Sequence, residues 1–271
     1  MEEHRHLPDL GHLSTLMAVI LLAYATTSFI TLPAQDLSIQ LPNFYLEIPL
    51  SFSTAISFLA AALAAVGSEW LIRDHPHLYQ KSTIPHWFLP ALSAWAIGVP
   101  LGSLEVSASW WLMLGLSGLL LVLVFIAEYI AVDPSDVRHT VSTVMLTAVS
   151  FALFLILAVA VRGSDLRLYL SIAILFPASF MVTLRTMQLR LGNPWRFQWA
   201  LGIALLIGQL GLGLHYWPLQ PVQFGLLLLG PAYGLTSIAI SIEESQTGRN
   251  LWVEPAVMTA AVWLVALFIR S

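Results

Sequence analysis

The sequence contains no cysteine, which excludes disulfides, thiolate metal sites and cysteine nucleophiles. Charge is scarce as well. Asp, Glu, Lys and Arg make up only 10% of the 271 residues, and a formal net charge of -4 provides no basic surface for nucleic acid. The local signatures of nucleotide and zinc chemistry are also missing: there is no GxxxxGK(S/T), no HExxH and no GxGxxG. No two histidines fall at mid-membrane positions on facing spans, so haem is not expected, and neither is any other cofactor. What is abundant is apolar: 58% of residues are hydrophobic and the mean hydropathy is +0.82. Water would not keep such a chain monomeric, so the composition makes a lipid bilayer its solvent and its one obligatory partner.

The stretch Trp110 to Val132, WWLMLGLSGLLLVLVFIAEYIAV, organises the rest. At ~1.5 Å of rise per residue it exceeds a ~30 Å hydrocarbon core, and it carries a single charge, Glu128. Similar runs on both sides give an all-α, polytopic transmembrane bundle of about nine spans in one integral membrane domain over 1–271. The spans are expected near 11–32, 48–72, 84–104, 110–132, 141–161, 166–184, 197–217, 222–242 and 252–269. The first follows a polar, His-bearing MEEHRHLPDLGH and is read as a retained span rather than a signal peptide. In the loop PAQDLSIQLPNFYLE, Leu37, Ile39 and Leu41 alternate with polar residues, so it is expected to lie extended along the interface. The short RGSD link predicts that spans five and six pack as a hairpin, and RTMQLRLGNPWR is expected to be the loop after span six.

Basic residues set the orientation. With alternating spans, Arg5, Arg73, Lys81, Arg138, Arg185, Arg190, Arg196 and Arg249 share one side, and Arg162, Arg167 and Arg270 the other. The positive-inside rule then places the N-terminus in the cytoplasm and the C-terminus outside.

Proline and glycine mark the third, sixth and eighth spans. Gly98-Val-Pro100-Leu-Gly102 and Gly230-Pro231-Ala-Tyr-Gly234 both have GxxxG spacing, which permits close backbone approach, and Pro177 interrupts span six. These positions are candidate packing or hinge sites. Pro90 and Pro100 are expected to kink span three, with neighbours satisfying the freed carbonyls. An inverted repeat of spans one to four against six to nine would also place two broken helices in opposite directions. No residue-level match supports it, and simple packing is the expected reason. Thr143, Thr147 and Ser150, and again Ser237, Ser241 and Glu244, recur at i, i+4, i+7 and are expected to make interhelical hydrogen bonds rather than a permeation path.

Three carboxylates, Glu69, Glu128 and Glu254, fall at a similar depth in this topology and could ring one polar vestibule. An intramembrane acid is by default a functional candidate. The competing reading is structural pairing, of Glu69 with Arg73 at i+4 and of Glu128 with Arg138 or Arg185.

Two further patterns have counterparts in catalysis or metal binding. Gly115-Leu-Ser117-Gly118 resembles the GxSG of rhomboid-type intramembrane proteases, but the one histidine expected on the outer half is His215, and a Gly-Leu-Ser-Gly in a Leu-rich helix is expected to be packing. His4, His6, His75 and His77 form two HxH pairs whose imidazoles, with Asp9 or Asp74, have the donor chemistry for a divalent metal. Loop histidines are more often solvated, so no metal is expected.

The segments HWFLPALSAWAIGVPL (His86 to Leu101) and AEYIAVDPSDVRH (Ala127 to His139) resemble patterns in an uncharacterised family of bacterial polytopic membrane proteins. The resemblance implies a bacterial inner membrane and carries over no activity and no site residue. Three classes therefore stand: a non-enzymatic membrane component or assembly subunit, which leads; a small-solute or proton-coupled transporter using the broken spans; and a membrane-embedded enzyme on lipid or prenyl substrates. A protein partner or a second copy remains open for the first.

Overall fold

The structure is a computed structural model and describes residues 8–30, 35–41, 44–73, 75, 76, 78, 82–164, 166–192, 195–244 and 250–269. Among them are nine α-helices and one β-hairpin: α1 Leu10–Thr26, β1 Gln35–Leu41, β2 Phe44–Leu50, α2 Phe52–Arg73, α3 Phe88–Ser103, α4 Ala108–Ala131, α5 His139–Gly163, α6 Leu168–Leu191, α7 Phe197–His215, α8 Pro221–Glu243 and α9 Asn250–Phe268. Eight of these helices are long and apolar enough to cross a membrane. The exception is α1, at 17 residues.

Several ends differ from the sequence expectation, each for a local reason. The helix α1 begins at Asp9, whose carboxylate accepts from the backbone N–H of Gly11 (2.7 Å) and His12 (3.2 Å). It stops at Thr26 rather than near residue 32. The hydroxyls of Thr26, Thr27 and Ser28 donate to carbonyls three residues back at 2.6–2.7 Å, sharing those of Tyr24 and Ala25 with the backbone N–H groups of Thr27 and Ser28. The segment expected to lie extended is a paired hairpin, with register running from Gln35↔Leu50 to Leu41↔Phe44. It takes Ile48 to Leu50 away from the second span, so α2 starts only after Ser51, whose hydroxyl accepts from Thr54 N–H at 3.1 Å.

Span three opens with a 3-10 turn, Ile84–Trp87, before α3. Pro90 therefore lies in the first turn of α3, a place where a helix tolerates proline. At the other end of the chain, α6 runs seven residues past the expected Leu184, through strong helix formers. It ends where Gly192 takes the left-handed conformation (φ 67°) and donates to the Gln188 carbonyl at 3.1 Å.

The chain divides into two compact units, Met1–His139 and Thr140–Ser271. In the first, α1 packs on α2 and α4, α2 on α3, and α3 on α4, which closes a ring of four helices. Its core holds Ile20, Tyr24, Ala94, Trp110, Leu121 and Phe125. Lipid tails are as apolar as leucine, so this bundle gains from close van der Waals contact and polar ties rather than from a hydrophobic drive between helices. The α2–α3 seam shows the first. A Cβ at Gly98 would sit 2.0 Å from Ser57 Oγ, and one at Gly102 would sit 2.6 Å from Ser53 Oγ. Polar ties supply the second: the Tyr24 hydroxyl donates to the Ala94 carbonyl, and Trp110 Nε1–H to the Leu101 carbonyl at 3.1 Å.

In the second unit α8 is central, packed on α9, α7 and α6. It approaches α5 at Gly225, where a Cβ would lie 2.7 Å from Val159 Cγ2. Spans five and six do not form the expected hairpin pair, since the principal neighbours of α6 are α7 and α8. Gly230 and Gly234 meet Trp263 and Thr259 of α9, with Thr259 Oγ1 2.5 Å from a Cβ built at Gly234. Side chains tie this α8–α9 seam at three levels. Gln223 Nε2 donates to the Ile269 carbonyl (2.8 Å), Trp263 Nε1–H to Leu227 (3.2 Å) and the Thr259 hydroxyl to Gly230 (3.0 Å). Leu227 is four residues before Pro231, so its carbonyl lacks the usual helical donor, and the indole of α9 supplies one.

Candidate functional site

A polar corner forms in the first unit where α2 ends, the 3-10 turn begins and α4 ends. Pro90 has no N–H to give the carbonyl of His86, four residues earlier, and the hydroxyl of Ser68 on α2 donates to that carbonyl at 2.7 Å. This fixes His86 beside α4. Its Nδ1 lies 2.7 Å from Oε2 of Glu128, forming a hydrogen bond between a half-buried imidazole and a fully buried carboxylate. The neighbour of Glu128 on α4, Tyr129, meets the ring of His75 edge-on at 4.5 Å. A lone acid in a 24-residue apolar helix would be costly without a hydrogen-bond partner, and the imidazole provides one.

Glu69 is on α2 and pairs with Arg73 at 2.6 Å with the arginine largely exposed, so this i,i+4 contact adds little stability. Glu128 has His86 as a partner, which the sequence reading did not offer for it. Arg138 pairs with Asp136 at 3.3 Å, and the buried Arg185 donates to Gln188 Oε1 at 2.6 Å. Glu254 is exposed on α9, in the second unit, whereas Glu69 and Glu128 belong to the first. His4, His6 and His77, and Asp74 with them, lie outside the described residues. Asp9 caps α1, and His75 stands against Tyr129. Among the described residues no group of three His, Asp or Glu side chains is placed to hold a metal. Ser117 is buried, and a Cβ at Gly118 would touch Leu21 of α1 at 3.1 Å.

Of the polar stripes, Ser150 donates to its own helix at the Leu146 carbonyl, 2.7 Å away. An interhelical pair not expected from sequence is Thr183 with Thr236, 3.3 Å apart between α6 and α8. Arg162 was expected in a loop. Its guanidinium instead donates to the carbonyls of His215 (2.9 Å), Trp217 (2.9 Å) and Leu219 (3.2 Å), gripping the turn between α7 and α8. A short run with two prolines, PLQP, was a signal that this turn leaves carbonyls without helical donors.

The second unit also holds a cleft of about 740 Å³ between α7 and α9 with α8 as its floor. Leu206 and Leu210 form one wall, Pro231, Leu235 and Ile238 the floor, and Trp252, Ala256 and Ala260 the other wall. Gln209 and Thr259 add the polar atoms of the lining apart from the two indoles, and the Thr259 hydroxyl is engaged at Gly230.

Comparison with curated proteins and comparison with solved structures each returned no match. A family model does match, over residues 32–269, most of the chain and all of its helices except α1. The protein is thus a multi-pass helical chain belonging to the family described as "Protein of unknown function (DUF5656)".

Proposed function

We propose that the protein is a non-enzymatic component of a bacterial inner membrane, with its N-terminus in the cytoplasm, that works through the surfaces its helices present inside the bilayer as a partner or assembly subunit. The observation that carries this reading is the character of the cleft beside the broken helix α8. A transport path there would need polar side chains along it, and the lining is mainly leucine, isoleucine, alanine, proline and tryptophan, with Gln209 and Thr259 as its polar residues besides the indoles and the Thr259 hydroxyl engaged at Gly230. Several polar groups within the helices support the same reading, because they serve the architecture. Ser68 and Trp263 serve the carbonyls that Pro90 and Pro231 set free, Arg162 holds a turn, and Glu128 and His86 hold each other. The three acids act as separate structural groups in this reading rather than as one vestibule.

The proton-coupled transporter is the second reading, and the observation favouring it is that Glu128 and His86 are two titratable groups in direct contact within a membrane helix bundle. Glu128→Gln separates the two. As a structural group, its loss lowers stability by about 1–3 kcal/mol, because an amide at this buried position is a weaker acceptor for the half-buried imidazole. Thermal unfolding in detergent should then show a lower midpoint, and wild-type protein in sealed vesicles should pass no more protons than empty vesicles. A proton flux in wild type that Glu128→Gln abolishes would replace the proposed function with the transporter.

A further inference from the structure

Arg162 carries a charge that its partners do not cancel. Three of its guanidinium N–H groups go to the carbonyls of His215, Trp217 and Leu219, and the guanidinium lies 6.0 Å from the centre of the Phe224 ring. All of these partners are neutral. One N–H on each terminal nitrogen is left with no acceptor among the described residues. A half-buried cation of this kind is stabilised by an anion that takes up both the charge and the spare donors.

Among the described residues of the second unit, no carboxylate stands at this end. Arg162 sits where α5 and α7 end and α6 and α8 begin, and the Gln223 bond to the Ile269 carbonyl brings the end of α9 there too. The described acids of this unit are Glu243, Glu244 and Glu254, all toward the opposite end. At ~1.5 Å per residue, Glu243 is ~33 Å along α8 from Pro221, and Glu254 is ~21 Å along α9 from Phe268. Both separations exceed a Debye length of ~8 Å. Arg167, which caps the start of α6, adds a second positive charge at the Arg162 end. The remaining acid of the unit, Asp165, lies outside the described residues.

Space for an anion lies beside the guanidinium. Arg162 and His215 line a pocket of about 70 Å³, with Val161 and Leu166 as its apolar walls. A water molecule needs roughly 10–15 Å³ by the same measure, so several fit, and so do the oxygens of one phosphate group. The planar guanidinium fork matches a phosphate, and an imidazole N–H is a further donor. Depth in the membrane favours the same ligand. His215 is followed by Tyr216 and Trp217, both exposed, aromatic residues of the kind that settle at the headgroup level.

We propose that Arg162 and His215 form a binding site for a phosphate group, presented by a phospholipid headgroup or as the free anion. This goes beyond the membrane-component reading and does not rest on it. The test reads His215 in the full chain, purified in an uncharged detergent. Diethyl pyrocarbonate acylates accessible imidazoles, and peptide mass spectrometry follows the rate at each histidine. Inorganic phosphate, phosphatidylglycerol and diacylglycerol with the same chains are added separately at constant ionic strength. Inorganic phosphate or phosphatidylglycerol should slow the reaction of His215 several-fold and leave that of His12, half-buried on α1 of the other unit, unchanged. Protection by inorganic phosphate identifies the free anion as a ligand, and protection by phosphatidylglycerol alone identifies the headgroup. Leu166→Glu sets a carboxylate in the pocket wall and should abolish the protection. Val222→Glu places the same charge at an exposed position of the same end, outside the pocket lining, and should keep it. The proposal is overturned if neither phosphate source protects His215 in wild type, a comparison that needs no variant. It is equally overturned if diacylglycerol protects as well as phosphatidylglycerol while inorganic phosphate does not, if Leu166→Glu leaves the protection intact, or if both glutamates abolish it, which would mean a diffuse field rather than a site.

Discussion

At the scale of single residues, the polar side chains of this protein are best explained by the backbone groups they satisfy. Proline removes an N–H and leaves the carbonyl four residues earlier without its donor, a deficit that lipid cannot repair. Ser68 answers it at His86, and Trp263 at Leu227. The sequence displayed the deficits, because the prolines are visible, but not the donors, which lie 18 and 36 residues away in the chain. The Glu128–His86 bond was hidden for the same reason: the periodicity of each span is legible, but how two spans 42 residues apart are rotated toward each other is not. Ser117 is the residue whose sequence pattern invites chemistry, and its surroundings offer packing. Ser117 is buried on α4, one residue from the Gly118 contact with Leu21, and alanine fits the same close contact, so Ser117→Ala should change stability by no more than about 1 kcal/mol. Reaction of Ser117 with a serine-directed covalent probe would contradict this.

At the scale of elements, close approach and capped ends decide how helices meet. The α2–α3 seam has no room for a methyl group at Gly98, whose added Cβ would fall 2.0 Å from Ser57 Oγ. Gly98→Ala should force the helices apart at a cost of about 1–3 kcal/mol, seen as a lower unfolding midpoint in detergent. Removing the obstacle should relieve part of that loss, so the double variant Gly98→Ala with Ser57→Gly should be more stable than Gly98→Ala alone. At the α7–α8 turn, Arg162 spans three carbonyls with a planar fork that an ammonium cannot reproduce. Arg162→Lys should therefore cost about 1–3 kcal/mol although charge is kept, and equal unfolding midpoints for Arg162→Lys and wild type would show that the fork is not needed. The helix positions themselves were largely legible, because apolar length identifies a span. Their ends were less so: hydropathy could not see that β2 would claim Ile48 to Leu50, or that α6 would continue through MQLRL to a left-handed Gly192. Such ends are set by pairing and capping, which do not alter hydropathy.

At the scale of the whole molecule, the number of crossings determines where the ends lie, and α1 is the element on which that number depends. Its 17 residues rise ~26 Å, at the lower limit for crossing a ~30 Å core, while the other eight helices meet the length requirement. Nine crossings put the two ends of the chain on opposite sides, and eight put them on the same side. The basic residues do not choose between these by themselves. Without α1 as a crossing, Arg5 changes sides and an asymmetry of eight to three becomes seven to four, still in the same sense. Packing favours nine: α1 contributes Ile20 and Tyr24 to the core of the first unit, contacts both α2 and α4, and reaches α3 through the Tyr24 hydroxyl, as a full member of the helix ring. A helix lying on the membrane surface would not be enclosed in this way. The expected outcome is that a reporter active only in the cytoplasm works when fused to the N-terminus, and one active only outside works at the C-terminus. If both ends report the same side, α1 does not cross, and the first four helices enter the bilayer with three crossings rather than four.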